Sequence, residues 1–230
     1  MRDELLHLLF PNVCVVCRKL LQKGEEQCCS SCMAEFDPFA TLSASELMLR
    51  HLIGSRFGKN FHFDRGWCRY LFHKESPLQH ALHAMKYEGL FRLGSTFGRH
   101  LGEWIAEGVD TQEIECIVPV PLHRLKKIER SYNQSEKIAE GVAAVLNRPV
   151  RPELLSRTRY TRSQTGLAAP DRRKNLEGAF QAGQGAMARH VLLVDDVITT
   201  GATMAAAAQA LRRGGAEKVS LAAVALAAKE

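Results

Sequence analysis

The chain has 230 residues, of which 46% are hydrophobic and 24% charged, with a formal net charge of +6 and an isoelectric point near 9.0. This length has room for one domain of average size and a small module, and the composition is that of a globular protein with no run resembling a transmembrane span. The positive charge favours an anionic ligand or partner, either a phosphorylated small molecule or nucleic acid.

The first ten residues, MRDELLHLLF, are predicted to form a short helix that ends at Pro11. This segment is too short and too acidic for a secretory signal peptide. We therefore expect a cytoplasmic protein that does not insert into a membrane.

Five of the seven cysteines lie between residues 14 and 32, in two Cys-x-x-Cys pairs separated by eleven residues. Without a secretory signal a disulfide framework is not expected, and four thiolates at this spacing favour the closed tetrahedral site of a structural Zn²⁺. The predicted ligands are Cys14, Cys17, Cys29 and Cys32. Cys28 would break the second spacing and is interpreted as a bystander. The alternative is a set of free core cysteines.

Residues 33 to 60 carry few clear signals. Glu46 to Ile53 is a candidate helix, and Phe57 to Phe63 is predicted to be a loop that links the cysteine-rich part to the rest of the chain. The predicted organisation is a zinc-binding module with its linker over residues 1–60 and a main domain over residues 61–230.

The main domain begins with three elements that are predicted to form part of its core. Gly66 to His73 predicts a strand. Pro77 to Tyr87 has apolar residues at helical spacing and a proline in the first turn, and Phe91 to Glu107 has a second apolar stripe.

A second strand, Ile114 to Val118, leads through Pro119 and Pro121 into a basic stretch. A helix then starts near Ser131 to Asn133, which are competent caps. A strand end that feeds a basic loop and then a helix is a candidate anion site, and the alternative is a solvated basic loop. The basic residues of this loop include Arg124, Lys126, Lys127 and Arg130.

Residues 151 to 180 are rich in basic and turn-forming residues, and Gly166 and Pro170 break any regular element. A long irregular insertion in a compact domain is usually functional or mobile. The segment is therefore a candidate lid over a bound phosphate, a candidate DNA-binding arm, or a plain surface excursion. The residues proposed to act in it are Arg157, Arg172, Arg173 and Lys174.

The most informative stretch runs from His190 to Met204. Val191 to Val194 is an unbroken apolar run, typical of a strand buried on both faces of a parallel sheet, and Asp195 and Asp196 follow directly. Ligands of such sheets bind at the carboxyl ends of the strands. The acid pair would suit sugar hydroxyls, directly or with Mg²⁺, and the alternative is a strand end with a capped helix and no ligand.

The turn after the acid pair is a candidate phosphate site. It precedes an alanine-rich helix over Ala202 to Arg213, and a helix N-terminus presents unpaired N–H donors. The residues predicted to hold the phosphate are Thr199, Thr200, Gly201, Ala202 and Thr203. With a last strand at Glu217 to Ala227, strands and helices alternate from residue 114 onward, which predicts a mainly parallel α/β sheet.

Val191 to Thr203 resembles the signature of type I phosphoribosyltransferases, which bind phosphoribosyl pyrophosphate (PRPP). The resemblance implies a phosphoribosyltransferase-like α/β fold, a mainly parallel sheet flanked by helices, with the small amino-terminal four-cysteine zinc module attached. It implies that Asp195 and Asp196 hold the ribose and that the following loop holds the 5′-phosphate. The loop after the earlier strand would hold the Mg²⁺-bound pyrophosphate through Arg124, Lys126 and Arg130.

The whole chain resembles the ComF family of competence proteins, which includes the GntX-like proteins. The matching segments are LLFPNVCVVC, CSSC, AMKYEG, VPVPLHR, RSYNQS, TRYTRSQTGL, RRKNLEGAF and VLLVDDVITTGAT. Family members tend to have glycine where this chain has Ser131. The resemblance implies a role in DNA uptake during natural transformation, with single-stranded DNA and a competence helicase or uptake protein as candidate partners. Two hypotheses remain: a PRPP-binding protein that turns over or senses PRPP with an unassigned acceptor, and a DNA-binding interaction protein without turnover.

Overall fold

A computed structural model describes residues 12–58, 61–158, 178–183 and 187–227 of the chain. Of residues 124, 125 and 127 it describes the backbone alone. The helix predicted within residues 1–10 lies outside the described residues. Among the helices that are described, none combines the length and the apolar character needed to cross a membrane.

Seven strands and seven α-helices make up the described fold. The strands are β1 Asp37–Pro38, β2 Gly66–Phe72, β3 Cys116–Pro119, β4 Leu155–Arg157, β5 Phe180–Ala182, β6 His190–Ile198 and β7 Lys218–Ala227. The helices are α1 Ser30–Ala34, α2 Leu42–Phe57, α3 Pro77–Tyr87, α4 Phe91–Gly108, α5 Arg124–Arg130, α6 Gln134–Leu146 and α7 Ala202–Arg213, with a 3₁₀ turn at Pro152–Leu154.

Five strands form one sheet in the order β1-β2-β7-β6-β3. Strand β1 runs antiparallel to β2, and the other three pairings are parallel. Strands β4 and β5 form a separate antiparallel pair. The expectation of a mainly parallel sheet with flanking helices is therefore confirmed.

Two apolar layers cover the central sheet, one on each face. Helices α2 and α7 and the β4–β5 pair pack on one face, and helices α3, α4 and α6 pack on the other. The four residues Val191 to Val194 of β6 are fully buried because both faces of this central strand are covered. The same covering explains why Val191 to Val194 of β6 and Leu221 to Ala227 of β7 are continuous apolar runs without polar alternation.

Helices α4 and α6 approach closely at two glycines. A Cβ atom at Gly98 would lie 2.1 Å from the carbonyl oxygen of Ile138, and one at Gly141 would lie 2.2 Å from that of Ser95. A larger residue at either position would force the helices apart. This crossing fixes α6 on the sheet, so that its N-terminus lies beside the carboxyl ends of β3 and β6.

Several predicted elements lie where the sequence places them, and others differ in extent or kind. Strand β6 continues past the predicted Val194 through the acid pair to Ile198, and residues 155–157 and 180–182 of the segment predicted to be irregular form strands. Helix α2 begins four residues before the predicted Glu46, because Thr41 caps it by accepting a hydrogen bond from the N–H of Ala44 at 3.1 Å. Residues 124–130, predicted to be a loop, form the short helix α5. That stretch contains no glycine or proline and consists of residues that form helices readily.

The segment between α2 and β2 was predicted to be an interdomain linker, and the boundary at residue 60 stays a prediction. Leu49, Leu52 and Ile53 of α2 are buried in the layer that also covers β6 and β7. The Phe61 and Phe63 rings are tilted against each other with their centres 6.1 Å apart, and the Arg50 guanidinium lies 4.5 Å from the centre of the Phe63 ring. Residues on both sides of position 60 thus contribute to one apolar layer.

Candidate functional site

At the acid pair near the carboxyl end of β6, side chains stop alternating regularly between the two faces of the sheet. Leu193 and Ile198 pack in the same core layer, although residues five apart on a regular strand lie on opposite faces. Leu221 and Leu226 of β7 show the same shift, and the register between the two strands continues through it. The pleat therefore changes phase where the two carboxylates follow one another.

Asp195 is held by donors from its own strand and from α6. The Ser135 hydroxyl donates to Asp195 Oδ1 at 2.8 Å, and the Asp196 N–H donates to the same oxygen at 2.9 Å. Burial raises the pKa of Asp195 to about 7, and the neighbouring Asp196 adds to this, while the two hydrogen bonds and Lys86 oppose it. The site therefore contains a carboxyl group that changes its charge near neutral pH.

Asp196 makes an ion pair with Lys86 at the carboxyl end of α3. The Lys86 Nζ to Asp196 Oδ2 distance is 2.7 Å, and the two side chains are only 23% and 15% exposed. Lys86 and Ser135 are not among the residues that the sequence predicts for this site. Both lie in segments that carry the family resemblance, AMKYEG and RSYNQS, which is the signal that could have identified them.

The loop from Thr199 to Thr203 joins the acid pair to α7. Thr200 is buried, and its Oγ1 accepts a hydrogen bond from the Ala202 N–H at 3.3 Å, whereas Thr199 is exposed. Gly201 has a φ of +75° at the N-terminus of α7. The loop surrounds a cavity of about 20 Å³, enough for about one water molecule, so a phosphate would bind at its mouth or open it.

We expect Gly201→Ala to lower the free energy of unfolding by about 1–2 kcal/mol, because only glycine adopts this left-handed conformation without strain. The added Cβ would also lie 2.8 Å from Cγ1 of Ile53. Urea denaturation measures the effect. The control is Gly54→Ala inside α2, where a Cβ meets nothing within 4 Å and should raise stability by about 0.5–1 kcal/mol. A Gly201 variant as stable as the wild type would contradict this account of the loop.

Three of the predicted cationic residues, Lys126, Arg130 and Arg157, lie close enough together for their charges to interact. The pKa of half-buried Lys126 is lowered by burial and by the positive charges of Arg130 and Arg157. Arg130 donates to Gln134 Oε1 and to the Tyr87 hydroxyl, each at 3.1 Å. Positive charges that destabilise one another favour an anion between them. The Arg124 side chain lies outside the described part.

Ser131, in the turn between α5 and α6, has a φ of +66°. This is the left-handed conformation that glycine adopts readily, and glycine is what family members tend to have there. The turn thus keeps a glycine-type shape despite the serine. Asn133 then caps α6, and its Nδ2 donates to the Val120 carbonyl at 3.0 Å, which fixes the helix to the end of β3.

The basic segment predicted to be a lid starts and ends at the β4–β5 pair. The N–H of Thr158 donates to the carbonyl of Ala179 at 3.0 Å, so the two ends of the segment lie side by side. Arg157, at the end of β4, lies over the Phe180 ring and interacts electrostatically with Asp195. The base of the segment is therefore near the acid pair. Arg172, Arg173 and Lys174 lie outside the described residues, and the lid stays a prediction.

The four predicted cysteine ligands come together in one cluster. The Sγ atoms of Cys14, Cys17, Cys29 and Cys32 all lie within 4.8 Å of one another. Those of Cys17 and Cys29 are 3.7 Å apart, and a tetrahedron with metal–sulfur distances of about 2.3 Å has edges of about 3.8 Å. Burial raises the pKa of the Cys14 thiol, but backbone N–H groups outweigh it and lower the pKa to about 6. The cluster is compatible with a structural metal such as zinc.

The cysteine-rich segment packs against α4. Glu26 accepts hydrogen bonds from the Thr96 hydroxyl at 2.9 Å and from Arg99 Nη2 at 2.5 Å. Cys28 lies outside the four-cysteine cluster, in the apolar layer that also contains Phe36. Burial raises the pKa of the Cys28 thiol to about 12, so it stays protonated.

Comparison with known proteins agrees with this architecture. Residues 117–230 match the family described as phosphoribosyl transferase domain. The chain is similar to Competence protein F of Haemophilus influenzae, with 29% identity over 218 residues that cover 90% of this chain and 94% of that protein. It is also similar to DNA utilization protein YhgH of Escherichia coli K12, with 29% identity over 219 residues that cover 93% and 96%.

Among solved structures, glutamine PRPP amidotransferase from B. subtilis aligns at 23% identity and a TM-score of 0.39, over 57% of this chain and 26% of that one. The assignment rests on the two sequence relatives, because each alignment covers nearly the full length of this chain and of the relative. The resemblance seen in the sequence is therefore confirmed: the chain has homologues named Competence protein F and DNA utilization protein YhgH, and its residues 117–230 match the phosphoribosyl transferase domain.

Proposed function

We propose that the protein binds PRPP at the carboxyl end of β6 and acts in DNA uptake in the cytoplasm. The proposal rests on three features that lie together at the carboxyl ends of the parallel strands. These are the acid pair, the loop that opens α7, and the cations around Lys126. The names of the homologues support the role in DNA uptake.

Each part of PRPP has a chemical counterpart in this arrangement. Asp195 and Asp196 would accept hydrogen bonds from the ribose hydroxyls, with Asp196 exchanging its Lys86 partner for the ligand. The backbone N–H groups at the start of α7 would hold the 5′-phosphate, and Thr199 and Thr203 would add hydroxyl donors. Oxygen ligands suit Mg²⁺, which would neutralise part of the pyrophosphate charge.

The pyrophosphate would bind to Arg124, Lys126 and Arg130. If PRPP is turned over, these cations stabilise the charge of the leaving group, and Arg157 with the rest of the basic segment excludes water. If PRPP is only sensed, the same contacts hold it without cleavage. Release of pyrophosphate in the presence of candidate acceptors separates an enzyme from a sensor.

The cysteine cluster would hold one Zn²⁺ as a purely structural ion. Four thiolates complete its tetrahedron and leave no position for a substrate. The contacts of Glu26 with α4 would then anchor the metal-bound segment beside the domain.

The two ends of PRPP can be tested separately, with ribose 5-phosphate and with Mg²⁺-pyrophosphate as probes. Lys126→Ala should weaken Mg²⁺-pyrophosphate binding by about tenfold or more, because it removes one charged hydrogen-bond donor. Ribose 5-phosphate binding should stay within about twofold. Isothermal titration calorimetry measures both.

The control is Lys218→Ala, since Lys218 begins β7 at the amino ends of the parallel strands, away from the site, and pairs with Glu113. It should leave both affinities unchanged. Equal pyrophosphate affinity in the Lys126 variant and the wild type would rule out the proposed pyrophosphate contact.

A further inference from the structure

A cavity of about 500 Å³ lies between the carboxyl end of α3, the start of α4 and the turn between α5 and α6. It is separate from the loop that opens α7. Its volume is in the range of pockets that bind small organic molecules. Its lining includes three aromatic and three cationic side chains: Tyr87, Phe91, Tyr132, Lys86, Arg130 and Lys137.

Three aromatic rings line this cavity. Tyr87 and Phe91 are 54% and 50% exposed, and no other aromatic residue of the described part is among its exposed large hydrophobic residues. The hydroxyl of Tyr132 donates to the Met85 carbonyl, which fixes its ring, and the Phe91 and Tyr132 rings meet edge to face at 6.5 Å. The cavity thus offers two half-exposed aromatic side chains beside a third that is held in place.

The lining of the same cavity contains three positively charged side chains and one acidic side chain. Arg130 lies 5.0 Å from the centre of the Tyr87 ring, which holds its guanidinium plane beside the aromatic surface. Lys137 pairs with Glu140 on the exposed side of α6, and Lys86 pairs with Asp196. Glu129 is the single acidic residue of the lining. The lining therefore favours a ligand that combines an aromatic ring with negative charge.

We propose that this cavity binds a nucleotide, with its base against Tyr87 and Phe91 and its phosphate near Lys137 and near Arg130, the residue that it would share with the proposed pyrophosphate site. Base–aromatic stacking tolerates every base because each has a π-face. The same chemistry is offered by a free nucleotide and by one nucleotide unit of a single strand. Lys86 joins the cavity to the acid pair through its ion pair with Asp196, so the nucleotide would lie next to the proposed PRPP site.

The test uses two probes, adenosine 5′-monophosphate and a single-stranded oligodeoxyadenylate of about eight nucleotides. Phe91→Ala and Tyr87→Ala should each weaken binding by about tenfold, since each removes one stacking surface. Phe91→Trp should bind both probes about as tightly as the wild type, because tryptophan keeps a stacking surface at this position. The matched control is Leu47→Ala, an exposed apolar residue on α2 that lies outside the cavity. Fluorescence anisotropy and calorimetry measure the two probes.

Each result has a definite meaning. Weakened binding of both probes supports a site for nucleotides in general, and weakened binding of the oligonucleotide alone supports a site for a unit of a strand. Unchanged binding in both alanine variants, or no binding of either probe to the wild type, overturns the proposal. Phe91→Ala should leave PRPP affinity unchanged, so this test and that of the PRPP site can fail independently.

Discussion

Replacing Cys14 or Cys29 with serine should release the metal and lower the free energy of unfolding by about 3 kcal/mol or more. A serine hydroxyl does not replace a thiolate as a ligand, and the three remaining thiolates would be left close together without a cation between them. Metal analysis of the purified protein should give about one zinc per chain for the wild type and close to none for the variants. Thermal or urea unfolding measures the loss of stability.

Cys68→Ser is the matched control for metal content. Cys68 is fully buried in β2 and lies outside the cluster, so this variant should keep its zinc although a buried hydroxyl makes it less stable. The variants at Cys14 and Cys29 should also loosen the contacts of Glu26 with α4. Full zinc content in both of them would exclude the assignment of the site.

Asp195→Asn combined with Asp196→Asn should lower PRPP affinity by about 100-fold or more, because two charged acceptors for ribose or Mg²⁺ are lost. The fold should remain intact, because the Ser135 hydroxyl and the N–H of residue 196 can still donate to the amide oxygen introduced at position 195. Calorimetric titration with PRPP and Mg²⁺ measures the loss, and unchanged affinity would exclude the ribose contact.

Asp195→Asn alone should change how stability depends on pH. The carboxyl group titrates near 3.8 in the unfolded chain and near 7 in the folded one, so the folded state binds the extra proton between these values. Its contribution to stability is therefore largest below about pH 4 and is lost as the pH rises to about 7. The variant should be more stable than the wild type at pH 8 by roughly 1–3 kcal/mol, with a flatter pH profile. Denaturation at several pH values measures both.

The sequence predicts the site best where its residues are neighbours along the chain. The strand, the acid pair and the loop that opens α7 are consecutive, so their local pattern predicts both the structure and the chemistry. The two Cys-x-x-Cys pairs are also close along the chain, and their spacing alone predicts that the four thiolates converge.

The residues that the sequence did not reveal act through long-range contacts. Ser135 reaches Asp195 across 60 positions, and Lys86 reaches Asp196 from a different helix. The cavity between α3, α4 and α6 depends on three separate elements and on the turn at Ser131. None of these juxtapositions leaves a periodic or local signal, because they arise only when the helices pack on the sheet.

The central claim is that the carboxyl end of β6 binds PRPP, and titration of the wild-type protein with PRPP tests it most directly. With Mg²⁺ present, calorimetry should show saturable binding of about one PRPP per chain, the number that a single acid pair allows. Removal of Mg²⁺ should weaken this binding, and it should be lost in the double variant at Asp195 and Asp196. A folded, zinc-containing wild-type protein that shows no saturable PRPP binding with Mg²⁺ would contradict the claim.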